Sequence, residues 1–205
     1  MRCRLVGSEM CIRDRNNNHI KTWPIIEISS LASLAAVLLS DLFLLKHSYS
    51  SALVIFSAVI HSIRLYGWSG WLTLREPLLW ILHIAYLWLV VALYFRGLSA
   101  FTNTIADSVW QHTLGVGAIG TIILGVMTRV TMGHTGNPLK LLKWGIVIYI
   151  SITVAAILRV LVALNIIDFR LGVNISAIAW VIAFASFIAL YSPALLSPRA
   201  DGRPG

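Results

Sequence analysis

The chain has 205 residues, of which 58% are hydrophobic and only 12% charged. A soluble domain carries about 25% charged residues, so this composition, with mean hydropathy +0.83 and apolar residues in long blocks, excludes an ordinary water-soluble fold and reads as an integral membrane protein. The net charge of +8 comes mostly from basic residues between apolar blocks, which fits the positive-inside rule better than nucleic-acid binding.

The N-terminal stretch LVGSEMCIRDR, Leu5 to Arg15, resembles translated read-through of a sequencing adapter. Residues 1–15 are therefore set aside as an artefact, the alternative being a basic, disordered tail. Both cysteines, Cys3 and Cys11, go with them, and so do disulfide, zinc and thiol chemistry. The natural beginning is expected to be missing, with further N-terminal helices belonging to the same protein. Residues 16–24 read as a cytoplasmic lead-in, 25–196 as a transmembrane bundle and 197–205 as a short cytoplasmic tail.

A hydrocarbon core about 30 Å thick needs about 20 apolar residues in helical form. Six segments qualify, at roughly 25–45, 50–67, 77–96, 109–132, 141–165 and 173–192. The fold class is thus an all-α polytopic bundle. GWSGW (67–71), EP (76–77), GHTGNP (133–138) and SPALLSP (192–198) supply the breakers between spans or after the last one. Ser108 is placed as the N-cap of the fourth span, with Asp107 before it.

Orientation follows from the basic residues near span ends. One side carries Lys21, Arg64, Arg75, Arg129, Lys140, Lys143, Arg199 and Arg203; the other carries Lys46, Arg96 and Arg170. The richer side is read as cytoplasmic, with both termini inside. Trp23, Trp68, Trp71 and Trp144 flank span ends on that side, where interfacial aromatics sit.

Four histidines lie in or at the edge of the apolar spans: His61, His83, His112 and His134. Intramembrane ionisable groups are rare and point to function by default. His61 and His83 fall at matched levels, roughly 6–9 Å inside the cytoplasmic boundary, on adjacent spans. His134 follows the fourth span on the same side. His112 begins that span, about 33 Å from His134 along a continuous helix, so those two cannot share one small centre. Imidazole suits haem iron, copper and zinc. One reading is a haem or metal site between the second, third and fourth spans; the other is that each histidine hydrogen-bonds a neighbouring helix. Arg64, one turn from His61, and Arg129 could pair with haem propionates or could snorkel to headgroups. Trp80, His83, Tyr86 and Val90 share a face that could wall a haem or simply pack. Thr113, Gly117, Thr121 and Gly125 make a small-residue stripe for close helix approach, which Gly115 and Gly120 broaden. GVGAIG (115–120) matches a dinucleotide fingerprint by letter only, having no strand before it.

HTLGVGAIGTIILGVMTRVTMGHTGNPL (112–139), HSIRLYGWSGW (61–71), PLLWILHIAYLWL (77–89) and SPRADGRPG (197–205) resemble the NnrS family of bacterial membrane proteins over about residues 50–205. The resemblance implies about twelve helices in the whole protein, of which this chain is the C-terminal part. It implies a haem b- and copper-containing multi-pass protein of the bacterial inner membrane, in the response to nitric oxide and nitrosative stress. Its motif positions here are His61, Arg64, His83, His112, Met127, Arg129, His134 and Gly136; Asn137 stands where a basic residue is commoner. The expected partners are the lipid bilayer and nitric oxide or iron-nitrosyl species, with no nucleic acid. His61 and His83 are taken as haem ligands or a shared metal set, His134 as a further inner ligand and His112 as part of a separate outer site, a candidate for copper. Arg64 and Arg129 are taken to stabilise anionic groups. No reaction is implied. The competing class is a transporter or channel subunit with the histidines as a proton or ion relay, which lacks the inverted repeat such folds show.

Overall fold

The structure, a computed structural model, describes residues 23–43, 47–102 and 105–202; residues 1–15 and most of the lead-in lie outside the described residues, as do Lys46 and Arg203. Among the described residues the protein is helical, with six helices long and apolar enough to cross a membrane. They are α1 (Pro24–Leu42), α2 (His47–Gly67), α3 (Pro77–Phe101), α4 (Asp107–His134), α5 (Ile146–Ala163) and α6 (Phe169–Leu196). A short 3-10 turn, Gly70–Thr73, lies between α2 and α3.

Local chemistry sets the ends. Pro24 and Pro77 occupy first-turn positions, where the missing N–H costs no helical bond. Asp168 caps α6 by accepting from the Leu171 amide at 2.8 Å. Ser108 does not cap α4: the capping position is Ala106, and Asp107 already lies in the first turn, where its charge meets the positive end of the helix dipole. Several spans differ from their apolar limits, and α3 runs on to Phe101, past the expected 96. α5 begins at Ile146, since the stretch after Pro138 leaves helical geometry although Leu141 and Leu142 still pack on the core. Hydropathy registers that burial and not the backbone that delivers it. α6 runs on to Leu196 through Pro193, so the first proline of SPALLSP does not break it; the helix stops only before Pro198.

Each helix packs on the next, and α4 also packs on α6. The alternation brings the start of α1, the end of α2, the start of α3 and the ends of α4 and α6 to one end of the bundle. Contacts register this: Arg64 meets Glu27 there, while at the opposite end Arg96 pairs with Asp41 and lies over the Trp110 ring. The larger core gathers Leu78 and Ile81 of α3, Leu124 and Met132 of α4, Ile148, Tyr149 and Ile152 of α5, and Ala183, Phe187 and Tyr191 of α6. A smaller one joins Val37, Val54, Ala58 and Leu93 of α1, α2 and α3. Large apolar side chains such as Ile28, Leu31, Leu38, Ile178 and Ile188 point outward, as a lipid-facing surface requires.

α4 is not uniform. Its first turn and its second half are α-helical, but Thr113–Gly120 is wound as a π-helix. Gly117, facing α3, sits so close to Trp88 that an added Cβ would lie 2.8 Å from the indole. The small-residue stripe is real, since Thr113, Gly117, Thr121 and Gly125 are all buried. Gly120 belongs to it, against Ile152 of α5, whereas Gly115 does not: a Cβ there meets nothing within 4 Å.

Candidate functional site

A polar column runs between α1, α2 and α3. Ser33 and Ser57 share a hydrogen bond at 3.1 Å across α1 and α2, and Ser62 meets Tyr94 of α3 at 3.2 Å. Serines make such contacts at little steric cost, because their small side chains let helices approach closely in lipid. At the Arg64 end the column becomes charged. The Arg64 guanidinium donates from Nε to Glu27 Oε2 at 2.9 Å and from Nη1 to Tyr86 Oη at 3.1 Å, and it lies 4.8 Å from the Trp68 ring centre. Two opposite charges set at this depth neutralise one another, which lipid rewards more than water does.

His61 sits one turn deeper. It is 1% exposed, its Nδ1 is hydrogen-bonded to Tyr86 Oη, and its Nε2 is buried without a hydrogen-bond partner. The Ser30 main-chain carbonyl of α1 lies beside the ring, outside good hydrogen-bond geometry. His83, half-buried on α3, donates from Nδ1 to the Leu79 carbonyl at 3.0 Å. The two imidazoles are joined through aromatic rings. His61 is 5.6 Å from Tyr86, Tyr86 is 4.6 Å from Trp68, and Trp68 meets His83 edge-on at 6.0 Å, all between ring centres. The loop after α2 closes over His83: Gly70 leaves room for its ring, since a Cβ there would fall 2.8 Å from His83 Cδ2.

The other expected residues lie elsewhere. His134 is exposed at the end of α4, beside an open pocket of about 500 Å³ lined also by Thr135, Ser197, Pro198 and Arg199. This turn is tied to the tail. Gly136, at φ +73°, closes α4 with the Asn137 amide on the Met132 carbonyl at 3.0 Å and its own amide on the Gly133 carbonyl at 3.4 Å. The Ala200 amide donates to the Thr135 carbonyl at 2.9 Å, and Asp201, paired with Arg199, packs on Gly136. His112 is half-buried at the far end of α4, within electrostatic reach of Arg159. A guanidinium works against a metal cation at that place. Arg129 is half-buried on α4 and makes no ion pair among the described residues.

The family model described as NnrS protein matches residues 6–199. The chain belongs to the NnrS family. No curated protein and no solved structure matches it. The match begins within residues 1–15, which lie outside the described residues. In this NnrS chain, His61 and His83 meet in one aromatic and polar cluster, while His134 and His112 stand apart from it and from each other. Among the described residues no three His, Cys, Asp or Glu side chains gather as a metal-binding group. The donors present therefore do not assemble a copper site by themselves. What a haem would need here is an imidazole with Nδ1 satisfied by a backbone carbonyl and aromatic rings beside it, and His83 with Trp68 and Tyr86 matches that. Sequence reasoning passed over Glu27, although an acid inside an apolar span is itself a signal for a buried cation partner. It left Arg64 between haem propionates and lipid headgroups, and here that charge is already met by Glu27.

Proposed function

We propose that this NnrS-family membrane protein binds haem at the cluster between α2 and α3 and acts in the response to nitric oxide and nitrosative stress. The observation that carries the reading is the cluster itself: His83, its Nδ1 held by the Leu79 carbonyl, and the buried His61 meet the same Trp68 and Tyr86 rings inside an apolar bundle. A backbone carbonyl on one ring nitrogen is how a ligating imidazole is commonly oriented. A haem there would supply an iron able to bind nitric oxide. The protein would contribute imidazole, the Trp68 and Tyr86 rings, and Arg129 as the cation left over for a propionate, Arg64 being shared with Glu27. Copper enters only from the family resemblance, since the described His134 and His112 stand apart and gather no further donors. The membrane is proposed to be the bacterial inner membrane, with both termini in the cytoplasm.

The test is an optical spectrum and metal count of the purified protein, beside the same measurements on His83→Ala. The wild type is expected to show a Soret band that shifts with nitric oxide, and the variant is expected to lose the band. An unchanged Soret band in His83→Ala removes the assignment. Substrate flux in metal-free proteoliposomes would favour the transporter reading instead.

A further inference from the structure

The two imidazoles that the haem reading treats alike are held in different ways. We propose that His83 is the metal-binding imidazole, and that His61 is a positioning residue whose tautomer is set by Glu27, Arg64 and Tyr86. This deepens the haem reading and rests on it for the metal, but not for the tautomers.

On each ring the partner of Nδ1 fixes where the proton sits. The Leu79 carbonyl can only accept, so His83 Nδ1 carries the proton in the bond between them at 3.0 Å. A neutral His83 therefore has its lone pair on Nε2. A backbone carbonyl on the other ring nitrogen is the usual way a ligating histidine is oriented. Beside Nε2 the ring carbon Cδ2 faces Gly70, and any side chain there would press on it at 2.8 Å. The loop thus lies close against this edge of the ring, and only a glycine lets it do so, which holds the imidazole in place.

His61 is the reverse. Arg64 Nη1 can only donate, so it takes a lone pair of Tyr86 Oη, and Glu27 fixes the guanidinium in that position. The Tyr86 hydroxyl proton then goes to His61 Nδ1, the other atom bonded to Oη. That leaves the proton of His61 on Nε2, with one buried donor unmet. The opposite assignment, Nδ1–H donating to Tyr86, leaves two buried groups unmet: the tyrosine hydroxyl proton and the Nε2 lone pair. Buried polar groups are rarely left unpaired, so the first arrangement wins. A ring whose Nδ1 is engaged by Tyr86 and whose Nε2 bears a proton cannot ligate a metal. What His61 does instead is hold Tyr86, which packs on Trp68, which meets His83 edge-on.

The experiment uses the full chain in lipid nanodiscs with ¹⁵N-labelled histidine, prepared without haem or metal. A protonated and an unprotonated imidazole nitrogen resonate far apart, so each tautomer can be read. The signals of His61 and His83 are assigned by their disappearance in His61→Asn and His83→Asn. His83 is expected as the Nδ1–H tautomer and His61 as the Nε2–H tautomer. Tyr86→Phe, which removes the proton donor, is expected to move the His61 nitrogen signals and leave those of His83 in place. On adding haem, the Soret absorbance per chain is expected to fall by about tenfold or more in His83→Ala, and to stay within about twofold of wild type in His61→Asn. An Nδ1–H tautomer at His61, or an Nε2–H tautomer at His83, overturns the proposal. So does loss of haem in His61→Asn with its retention in His83→Ala. A wild-type chain that takes up no haem removes the haem reading, while the nitrogen spectrum still decides the tautomers.

Discussion

Single residues carry most of the chemistry at the Arg64 end, and one glycine shows how tightly that end is fastened. Gly136 adopts φ +73°, a region that costs an L-residue roughly 1–2 kcal/mol, and a Cβ there would lie 2.7 Å from the Asp201 carboxyl carbon. Gly136→Ala is therefore expected to destabilise the protein by about 1–3 kcal/mol, seen as a lower thermal midpoint in detergent. A variant as stable as wild type would mean that the tail does not rest on this turn. The turn itself was legible in GHTGNP, because a glycine before Asn-Pro reads as a left-handed helix end. Its docking on residues 200–201 was not legible, since nothing local links two segments some 65 residues apart. The same holds for His61. Its depth could be counted along the apolar run, whereas its partner Tyr86 and the supporting Glu27 come from other helices, and only packing decides which side chains meet.

At the scale of an element, α4 separates glycines that look alike in the sequence. Gly115 and Gly117 both fall in the π-helical segment Thr113–Gly120. One faces open space; the other faces Trp88 of α3. Gly117→Ala drives a methyl group into the indole and is expected to cost about 1–3 kcal/mol, because an overpacked site can relieve the clash only by moving a backbone or a large ring. Gly115→Ala should change stability by no more than about 1 kcal/mol and in the favourable direction, since it removes a flexible residue from a helix without touching a neighbour. Unfolding midpoints of the two variants in one detergent check the contrast, and equal losses would show that the helix is packed differently. The period of small residues in the sequence placed Gly117 on a packed face correctly. That period does not put Gly115 there: two residues from Gly117, Gly115 falls about 160° around the helix even at regular spacing, and it faces open space. The six spans were legible for a simpler reason: about 20 consecutive apolar residues leave the backbone no stable alternative in lipid. Their ends were legible where a breaker marked them, as at Pro24, Gly67 and Pro77; the start of α6 was not, since it was expected at 173 although Asp168 caps a helix that begins at Phe169.

For the whole molecule, packing alone does not choose which end faces the cytoplasm. Interior contacts are the same in either orientation, and apolar side chains face outward along the helices at both levels. What differs between the ends is charge. Arg64, Arg75, Lys140, Lys143 and Arg199 lie at the end where His83 and His134 sit, against Arg96 and Arg170 at the other, and Asp41 neutralises Arg96. Retained basic loops set topology during insertion, so the Arg64 end is expected inside. In a background with Cys3 and Cys11 replaced by serine, Arg170→Cys should react with a membrane-impermeant maleimide added to intact cells. Lys140→Cys should react only after the cells are opened. Both sites are exposed, so neither result depends on the bundle loosening. The orientation also bears on chemistry: with the Arg64 end inside, the cluster around His83 lies nearer the cytoplasm, and a reductant or ligand would reach it from that side. Labelling of Lys140→Cys in intact cells with protection of Arg170→Cys would invert the topology and place the same cluster toward the outer face.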